Sequence, residues 1–511
     1  MPTDDGNAAS YFVDRHEGEG RRDKAAFVEG DRALSYGNLI EGTDRVAGML
    51  SRHGFRREDR VAMLVHDVLE FPLVFWGCLK AGVIPIPLNT LLTAEQYEFI
   101  LADSRVRGLV IANQLLDPLR KTIARTDALE TVFVIGGDPA PFFSFATEFE
   151  ASERVPAIDV SGDEVAFWLY SSGSTGAPKG VRHVHASLKG TTDTYGARVL
   201  GIRKDDVAFS AAKLFFAYGL GNGMSFPLSV GATTVLLPGR PTPEAVATVM
   251  KETEPTIFFC VPTLYAAILA SAVDGPIPGA DRLRLAVSAG EALPEEIGTR
   301  WSAKTGTEIL DGVGSTEMLH IYLSNSPGNV VYGTSGTAVP GYEVRLVDEE
   351  GHDVGIGDVG ELLVSGQTAA DGYWNNRAKT RATFEGNWTR TGDKYTRRDD
   401  GRYVYCGRTD DMFKVSGVWL SPFEVEQALL THPGVLEAAV VAKRDEHGLE
   451  KPKAFLVLKD GKGTAPCTDD IKAHVQASVG PQKYPRWIEI VDELPKTATG
   501  KIQRFRLLDA G

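Results

Sequence analysis

The chain has 511 residues, with 54 Lys or Arg and 68 Asp or Glu, which gives a formal net charge of −14. Apolar residues make up 43% and charged residues 24% of the chain, the proportions of an ordinary globular protein. At about 150 residues per domain the length predicts two to four folded units, and the acidic balance excludes nucleic acid or an anionic membrane surface as the main partner.

The cysteines and the apolar runs indicate the compartment. The four cysteines are far apart and show no C-x-x-C spacing, so they predict neither a disulfide framework nor a zinc site. The first 20 residues have no basic flank before an apolar run, and the apolar runs are shorter than the about 18 residues of a membrane helix. We therefore expect a cytoplasmic protein without membrane insertion.

Short β-branched segments alternate with helical patterns over most of the chain. The predicted strands include residues 60–64, 108–111, 131–135, 233–237 and 256–260, and the predicted helices include residues 93–103 and 243–253. This alternation is typical of βαβ units around mainly parallel sheets. From Gly333 onward, short strands at residues 344–347, 360–364 and 403–406 are separated by glycines, which favours an antiparallel or barrel-like module.

The last hundred residues predict a separate α+β unit. Its predicted helices are residues 421–431 and 469–478, and its predicted strands are residues 437–443, 454–458 and 487–491. Residues 411–511 contain 14 basic and 14 acidic side chains, so the whole net charge lies in residues 1–410. We therefore predict an N-terminal domain of residues 1–409, with a β-rich subdomain at about 333–409, and a C-terminal domain of residues 410–511.

The strongest motif is residues 170–180 (YSSGSTGAPKG), which follows an apolar strand at residues 165–170 and precedes a helix that begins near His185. Its Gly, Ser and Thr residues offer backbone amides and hydroxyls to phosphate oxygens, and Lys179 adds a positive charge. It is not a Walker A loop, because Pro178 occupies the position of the second glycine. A flexible linker is disfavoured, since linkers rarely follow a buried strand and end in Pro-Lys-Gly.

Five further segments carry weaker signals. Residues 311–317 (DGVGSTE) place glycine turns before a hydroxyl and a carboxylate, which suits Mg²⁺ beside phosphates but also an ordinary capped turn, and residues 288–294 (SAGEALP) share this ambiguity. Residues 391–393 (TGD) and 407–411 (GRTDD) supply an aspartate for ribose hydroxyls and an arginine for the same sugar or a phosphate. Residues 495–501 (PKTATGK) form a glycine-tipped loop with a lysine.

One apparent dinucleotide-binding motif lies in the wrong structural context. Residues 355–360 fit the dinucleotide pattern G-x-G-x-x-G, but they lead into a strand, whereas the fingerprint leaves a strand and opens a helix. We therefore predict a β-turn region there.

In this order, the phosphate loop, Gly-Ser-Thr-Glu, Thr-Gly-Asp, Gly-Arg-x-Asp and the terminal Gly-Lys resemble the acyl-adenylate-forming superfamily. That superfamily includes acyl-CoA synthetases, luciferases and peptide-synthetase adenylation domains. Within it, residues 212–222 (AKLFFAYGLGN) and 317–320 (EMLH) are most similar to benzoate–CoA ligases. The resemblance runs from about residue 10 to the end. It implies an α/β fold in which a large N-terminal domain of βαβ-type sheets packed with helices and a small barrel-like β subdomain precede a small, mobile α+β C-terminal domain.

The resemblance also implies a nucleotide site. The residues that it assigns to ATP are Ser171, Ser172, Gly173, Ser174, Thr175, Gly176, Lys179, Gly290, Glu291, Ala292, Asp311, Gly312, Val313, Gly314, Ser315, Thr316, Asp393 and Arg408. Glu317 would hold Mg²⁺, and catalytic Lys501 would bridge the substrate carboxylate and the α-phosphate. An aromatic residue often stacks on adenine at the position of Val313, so here an aliphatic contact would replace the stacking.

The acyl and CoA sites follow from the same resemblance. The residues assigned to the acyl pocket are Phe215, Ala217, Tyr218, Gly219 and His320, an aromatic run that suits a flat ring but also occurs in ordinary cores. His320 would either hydrogen-bond the substrate carboxylate as a catalytic group or form a wall of the pocket. The residues assigned to CoA and thioester formation are Lys414, Ser416, Gly417, Lys483 and Arg486. For Lys483 and Arg486 a solvated helix end is an equal alternative, and Asp410 matches the hinge position.

The resemblance therefore implies an AMP-forming ligase that uses ATP, Mg²⁺ and coenzyme A on an aryl or cyclic carboxylic acid. Benzoate is the leading substrate, although the small Ala217 and Gly219 would also admit a fused-ring acid. The alternative is a stand-alone adenylating enzyme that passes its acyl group to a carrier protein or a downstream acyltransferase. A non-catalytic adenylate sensor is disfavoured by the pair Glu317 and Lys501, and a luciferase-type oxygenase by residues 212–222. A homodimer is left open.

Overall fold

The computed structural model describes residues 6–172, 178–272, 275–415, 418–446, 448–459, 468–480, 483–496 and 502–508. Two compact units divide the chain: Met1–Val344 with Val364–Thr389, and Arg345–Leu363 with Arg390–Gly511. The predicted domain boundary at residues 409 and 410, with its hinge, stays a prediction.

A nine-stranded sheet forms one layer of the first unit. Its strands, in spatial order, are Thr337–Ala338, Ile321–Ser324, Ile309–Gly314, Leu285–Ser288, Ile257–Cys260, Val207–Ser210, Thr233–Val235, Ala25–Glu29 and Arg32–Ser35. The central neighbours are parallel, whereas the pairings at both edges are antiparallel. The parallel strands are apolar and buried along nearly their whole length, as expected for strands covered on both faces.

A second sheet of the first unit has five parallel strands. In spatial order they are Ile84–Pro87, Arg60–Leu64, Gly108–Ala112, Thr131–Ile135 and Phe143–Ser144. The prediction of βαβ units around mainly parallel sheets is confirmed by these two sheets.

The remaining elements of the first unit are mostly helices. The helices are Ser10–Asp14, Arg15–Gly18, Tyr36–Arg52, Glu70–Lys80, Ala94–Ser104, Asn113–Arg125, Phe145–Glu150, His185–Thr191, Thr192–Val199, Ala217–Leu220, Gly221–Ser225, Phe226–Val230, Pro243–Thr253, Pro262–Ser271, Glu295–Thr305 and Arg377–Thr383. A short strand lies at Phe384–Glu385. Of the helices that the described residues form, none combines the length and the apolar character needed to cross a bilayer.

A third sheet of the first unit corrects one prediction. Strand Val165–Ser172 pairs antiparallel with Pro178–Val184, which in turn pairs with Gly372–Tyr373. The sequence predicted a strand, a loop and then the helix at His185, but a second strand lies between the loop and that helix. Its buried residues alternate too weakly along seven positions to be recognised from the sequence, and pairing across the hairpin stabilises it.

The second unit has an α+β core. Strands Val435–Arg444, Glu450–Leu458 and Trp487–Ile490 form a sheet in that order, the first pair antiparallel and the second parallel. Buried side chains of helices Pro422–Leu430 and Thr468–Val479 share one apolar cluster with this sheet. The predicted terminal α+β unit is therefore confirmed.

Further strands lie wholly or mostly in the second unit. They are Glu343–Val347, Val359–Ser365, Trp388–Arg397, Tyr403–Arg408, Phe413–Val415 and Val418–Leu420, and the last helix is Arg504–Leu508. Residues 355–360 lead into Val359–Ser365, and Gly357 has a φ of 86°, so the predicted turn is confirmed.

Free thiols occur at Cys78, Cys260 and Cys406, while Cys467 lies outside the described residues.

Candidate active site

Two predicted nucleotide segments of the first unit lie at one edge of the nine-stranded sheet. Strands Leu285–Ser288 and Ile309–Gly314 are parallel neighbours, so their carboxyl ends lie side by side. Residues 290–292 follow the first strand and residues 315–317 follow the second. Ligands of open α/β sheets bind at this edge, and the fold therefore brings two of the predicted nucleotide segments together.

The glycines of the segment 311–317 are required for a reason other than the one predicted. Gly312 and Gly314 lie in a strand with ordinary φ angles, not in tight turns. A Cβ atom on Gly314 would lie 2.5 Å from the carbonyl oxygen of His320, and one on Gly312 would lie 2.9 Å from Cγ2 of Ile321. The antiparallel strand Ile321–Ser324 crosses so closely that only glycine fits, which the sequence alone does not reveal.

Asp311 is buried beneath this edge. Its Oδ2 accepts a 3.5 Å hydrogen bond from the backbone N–H of Leu293, and burial raises the pKa of its carboxyl well above the ordinary value. Its Oδ1 has no hydrogen-bond partner among the described residues. A buried polar atom without a partner fits a ligand contact, and Asp311 was predicted to line the adenine.

Two bonds fix the segment that carries Thr316 and Glu317. The His183 Nε2–H donates a hydrogen bond to the carbonyl oxygen of Thr316 at 2.9 Å. The backbone N–H of Ala370 donates to the backbone carbonyl oxygen of Glu317 at 2.8 Å. Burial lowers the pKa of His183 to about 4, so the imidazole is neutral near pH 7. His183 lies on Pro178–Val184, a strand next to the predicted phosphate loop, and therefore links the two segments.

A tyrosine that the sequence analysis missed contacts the predicted metal ligand. The hydroxyl of Tyr373 donates to Glu317 Oε1 at 2.9 Å, and the Nζ atom of Lys179 lies 5.8 Å from the centre of the Tyr373 ring. Tyr373 reaches this position because its strand pairs with the hairpin at Val181. Aromatic residues after a glycine are common, so no sequence signal identified it.

The donor set fits Mg²⁺. Among the described residues no group of three or more His, Cys, Asp or Glu side chains is placed to hold a metal. Mg²⁺ is typically bound by one or two carboxylates together with substrate phosphates and water. The half-buried Glu317, with one oxygen fixed by Tyr373, offers such a carboxylate.

The variant Tyr373→Phe tests this arrangement. Loss of the hydroxyl leaves the Glu317 carboxylate unoriented, so we expect affinity for Mg²⁺ in the presence of ATP to fall about 10-fold. Electron paramagnetic resonance of Mn²⁺ with ATP measures the binding directly, and the KM for ATP at limiting Mg²⁺ measures its effect. Tyr36→Phe, which removes a buried hydroxyl bond to the carbonyl oxygen of Ala232, is the matched control. Equal metal affinity in both variants would contradict the role of Tyr373.

The predicted acyl-pocket run crosses the same sheet edge. The half-buried Tyr218 lies in helix Ala217–Leu220, and its hydroxyl donates to the carbonyl oxygens of Val287 at 3.1 Å and Cys260 at 3.4 Å. Phe215 is buried, with its ring centre 4.6 Å from that of Phe216. These contacts place Ala217 and Tyr218 beside the predicted nucleotide segments.

His320 lies against this run as a neutral imidazole. Its Nε2 is 3.3 Å from the carbonyl oxygen of Tyr218 and 3.2 Å from Asn222 Oδ1, and burial lowers its pKa to about 3. Because both neighbours accept, Nε2 carries the proton, and Nδ1 has no partner within the described ranges. A neutral ring offers no positive charge to a carboxylate, which favours the wall of the pocket over a catalytic role.

The predicted ribose pair lies within the second unit. Asp393 and Arg408 are opposite each other on antiparallel strands, with Oδ1 and Nη1 2.8 Å apart. Gly392 has a φ of 71°, and a Cβ atom there would lie 2.8 Å from Nη2 of Arg408. The glycine of Thr-Gly-Asp therefore allows the guanidinium to reach the carboxylate.

Two of the predicted CoA residues of the second unit contact neighbouring side chains. Lys483 forms a 2.7 Å ion pair with Glu424, and the guanidinium of Arg486 lies 3.7 Å from the centre of the Tyr484 ring. Asp410 lies in a turn after strand Tyr403–Arg408. The roles of all three stay predictions.

Part of the predicted site lies outside the described residues. This part comprises Gly173, Ser174, Thr175, Gly176, Ser416, Gly417 and Lys501. Ser171 and Ser172 pair through the backbone with Lys179 and Pro178, and Lys414 pairs with Trp419.

Comparisons with known proteins identify the family. The model of the AMP-binding enzyme family matches residues 14–374, and that of the AMP-binding enzyme C-terminal domain matches residues 424–501. The 4-hydroxybenzoate–CoA/benzoate–CoA ligase of Rhodopseudomonas palustris is 51% identical over 99% of this chain and 94% of its own length. The benzoate–CoA ligase of Thauera aromatica is 52% identical over 99% and 96% of the two chains.

A solved structure agrees with these relatives. The benzoate CoA ligase from Burkholderia xenovorans LB400 is 46% identical, covers 98% of this chain and 99% of its own, and superimposes with a TM-score of 0.90. The motif order, the sheet edge that joins the first-unit segments and the full-length matches agree. The chain therefore belongs to the AMP-binding enzyme family, which is the acyl-adenylate-forming superfamily that its motifs predicted.

Proposed function

We propose that the chain is an AMP-forming aryl acid–CoA ligase. It joins an aromatic carboxylic acid such as benzoate or 4-hydroxybenzoate to ATP, releases pyrophosphate, and transfers the acyl group from the acyl-AMP to coenzyme A. The observation that carries this proposal is the 51% identity, over 99% of the chain, to a ligase of those two acids. The position of the aromatic run beside the predicted nucleotide segments supports it.

In the first step an anionic carboxylate must approach ATP, which is a polyanion. A carboxylate attacks the α-phosphorus of ATP, so the site must supply positive charge that strengthens as the transition state forms. Lys179 and Lys501 are the side chains that we assign to this task. Mg²⁺, when bound beside the phosphates, neutralises part of their charge, and Glu317 would hold it.

We assign the acid to a site bordered by helix Ala217–Leu220 and by His320, which contact each other. The small side chain of Ala217 suits a flat ring beside Tyr218, and the neutral His320 would add a wall without a charge. An aromatic slot of this kind favours planar acids over branched aliphatic ones.

The second step uses CoA through residues of the second unit. We assign a hinge to Asp410 and thiol access to Lys414, Ser416 and Gly417, with Lys483 and Arg486 as candidates for the CoA phosphates. In this scheme Lys501 acts in the first step and leaves before the second. A cytoplasmic location also belongs to the proposal.

A panel of acids tests the function. The protein is incubated with ATP, Mg²⁺ and benzoate, 4-hydroxybenzoate, phenylacetate or an unbranched aliphatic acid, with and without CoA. We expect pyrophosphate release with the benzoates and an aryl-CoA thioester only when CoA is present. Pyrophosphate release without any thioester would favour the alternative, transfer to a carrier protein or partner enzyme. No pyrophosphate release with any aryl acid would contradict adenylation itself.

A further inference from the structure

Asp67 is a buried carboxylate that no motif includes. It follows strand Arg60–Leu64 of the five-stranded sheet and is 2% exposed. Its Oδ1 accepts a hydrogen bond from the backbone N–H of Leu214 at 3.1 Å, and its Oδ2 lies 3.7 Å from Nζ of Lys213. Leu214 directly precedes the aromatic run of the predicted acyl pocket.

The contacts of Lys213 attach the same segment to the other sheet. Its ammonium donates to the carbonyl oxygens of Leu237 and Gly239, the second at 2.7 Å. These residues follow strand Thr233–Val235 of the nine-stranded sheet. Asp67 and Lys213 therefore join the carboxyl ends of strands from two different sheets.

This placement is unfavourable for the carboxylate. Burial raises the pKa of Asp67 to about 6, and the nearby Lys213 ammonium opposes that rise. Replacing a buried ion pair by apolar residues is often neutral or stabilising, so a buried pair is weak support for a purely structural role. Holding the backbone N–H of Leu214 beside the proposed acyl pocket explains a buried carboxylate better than a purely structural role does.

The constraint at Leu214 extends to the pocket residues. A Cβ atom on Gly219 would overlap the backbone carbonyl of Lys213, so the segment folds back tightly on itself. Ala217 and Tyr218 lie between these two points, and the Tyr218 carbonyl contacts His320. A shift of Leu214 therefore moves the residues that we assign to the aryl ring.

We infer that Asp67 is a positioning residue for the acyl pocket, which it shapes by holding the N–H of Leu214 at the start of the aromatic run. The inference rests on the proposed function, because it takes the ligand of that pocket to be the aryl acid. Asp67 acts through Leu214 and touches neither the acid nor ATP.

The variants Asp67→Ala and Asp67→Asn test the inference by separating the two Michaelis constants. Loss of the acceptor in Asp67→Ala is expected to raise the KM for benzoate about 10-fold while the KM for ATP changes less than about 2-fold. Asp67→Asn keeps an acceptor for Leu214 and is expected to recover most of the affinity for benzoate. If the alanine variant does not fold, the KM for benzoate of Asp67→Asn still tests the inference.

Asp206→Ala is the matched control. Asp206 is also buried, accepts from the N–H of Arg203 at 2.7 Å and pairs with Arg284, but it precedes strand Val207–Ser210 at the opposite end of the sheet. We expect this variant to lose thermal stability without a selective rise in the KM for benzoate. A parallel rise of both constants in Asp67→Ala, or an unchanged KM for benzoate in the folded variant, would overturn the inference. If the unmodified protein adenylates no aryl acid, the proposed function fails instead.

Discussion

Replacing Lys501 by alanine is expected to slow adenylation about 1,000-fold and to leave thioester formation from supplied acyl-AMP within about 2-fold. The α-phosphate gains negative charge as the carboxylate attacks, and a lysine ammonium at that point stabilises the transition state more than the bound substrates. Thioester formation has a thiol as its nucleophile and AMP as its leaving group, and in the proposed scheme Lys501 has left by then.

The two half-reactions are measured separately. Pyrophosphate release reports adenylation, and the conversion of synthetic benzoyl-AMP with CoA reports the second step. Lys496→Ala is the matched control, because Lys496 precedes Lys501 in the same loop sequence but forms a 2.7 Å ion pair with Glu437. We expect this control to change neither rate by more than about 2-fold. Equal losses in both half-reactions of Lys501→Ala would contradict the assigned role.

The second large effect is expected from Gly221→Ala. A Cβ atom there would lie 2.7 Å from Nε2 of His320, closer than carbon and nitrogen approach without a bond. His320 cannot simply yield, since its ring is held by Tyr218 and Asn222 and packs 4.6 Å from the centre of the Phe226 ring. The ring or the backbone at residue 221 must therefore shift beside the proposed acid site, and we expect kcat/KM for benzoate to fall about 100-fold.

Its readout and control follow from the same geometry. The KM for ATP is expected to stay within about 3-fold, and a smaller acid should lose less activity than benzoate. Gly18→Ala is the control, because Gly18 also lies in a helix but a Cβ atom there meets nothing within 4 Å. Unchanged kinetics in a folded Gly221→Ala variant would show that His320 does not border the acid.

Local signals explain the elements that the sequence predicted well. The helix predicted at residues 243–253 occurs as Pro243–Thr253, because Thr242 caps it by accepting from the N–H of Ala245 and a proline occupies its first position. Strand Thr131–Ile135 also has its predicted bounds, since its run of β-branched residues is buried between neighbouring strands. Such signals lie within about ten consecutive residues.

Contacts between distant residues explain what the sequence could not give. His183 lies 133 positions from Thr316, and Asp67 lies 147 positions from Leu214. Nothing near His183 or Asp67 in the chain indicates these partners, because the folding of separate sheets creates each pairing. The glycine pattern of residues 311–317 was recognised but wrongly attributed to turns, since a close neighbouring strand and a positive φ select the same residue.

The close crossing of Gly314 and His320 has a consequence for the evolution of new substrate preferences. One strand carries predicted contacts to the base, and the backbone of His320 presses against it, so a backbone change that reshapes the acid slot there would also alter the hold on ATP. Helix Ala217–Leu220 instead contacts two other strands, because the Tyr218 hydroxyl lies against the carbonyl oxygens of Val287 and Cys260. Natural or directed diversification towards other acids should therefore accumulate at residues 217 and 218 before it reaches the backbone around residue 320.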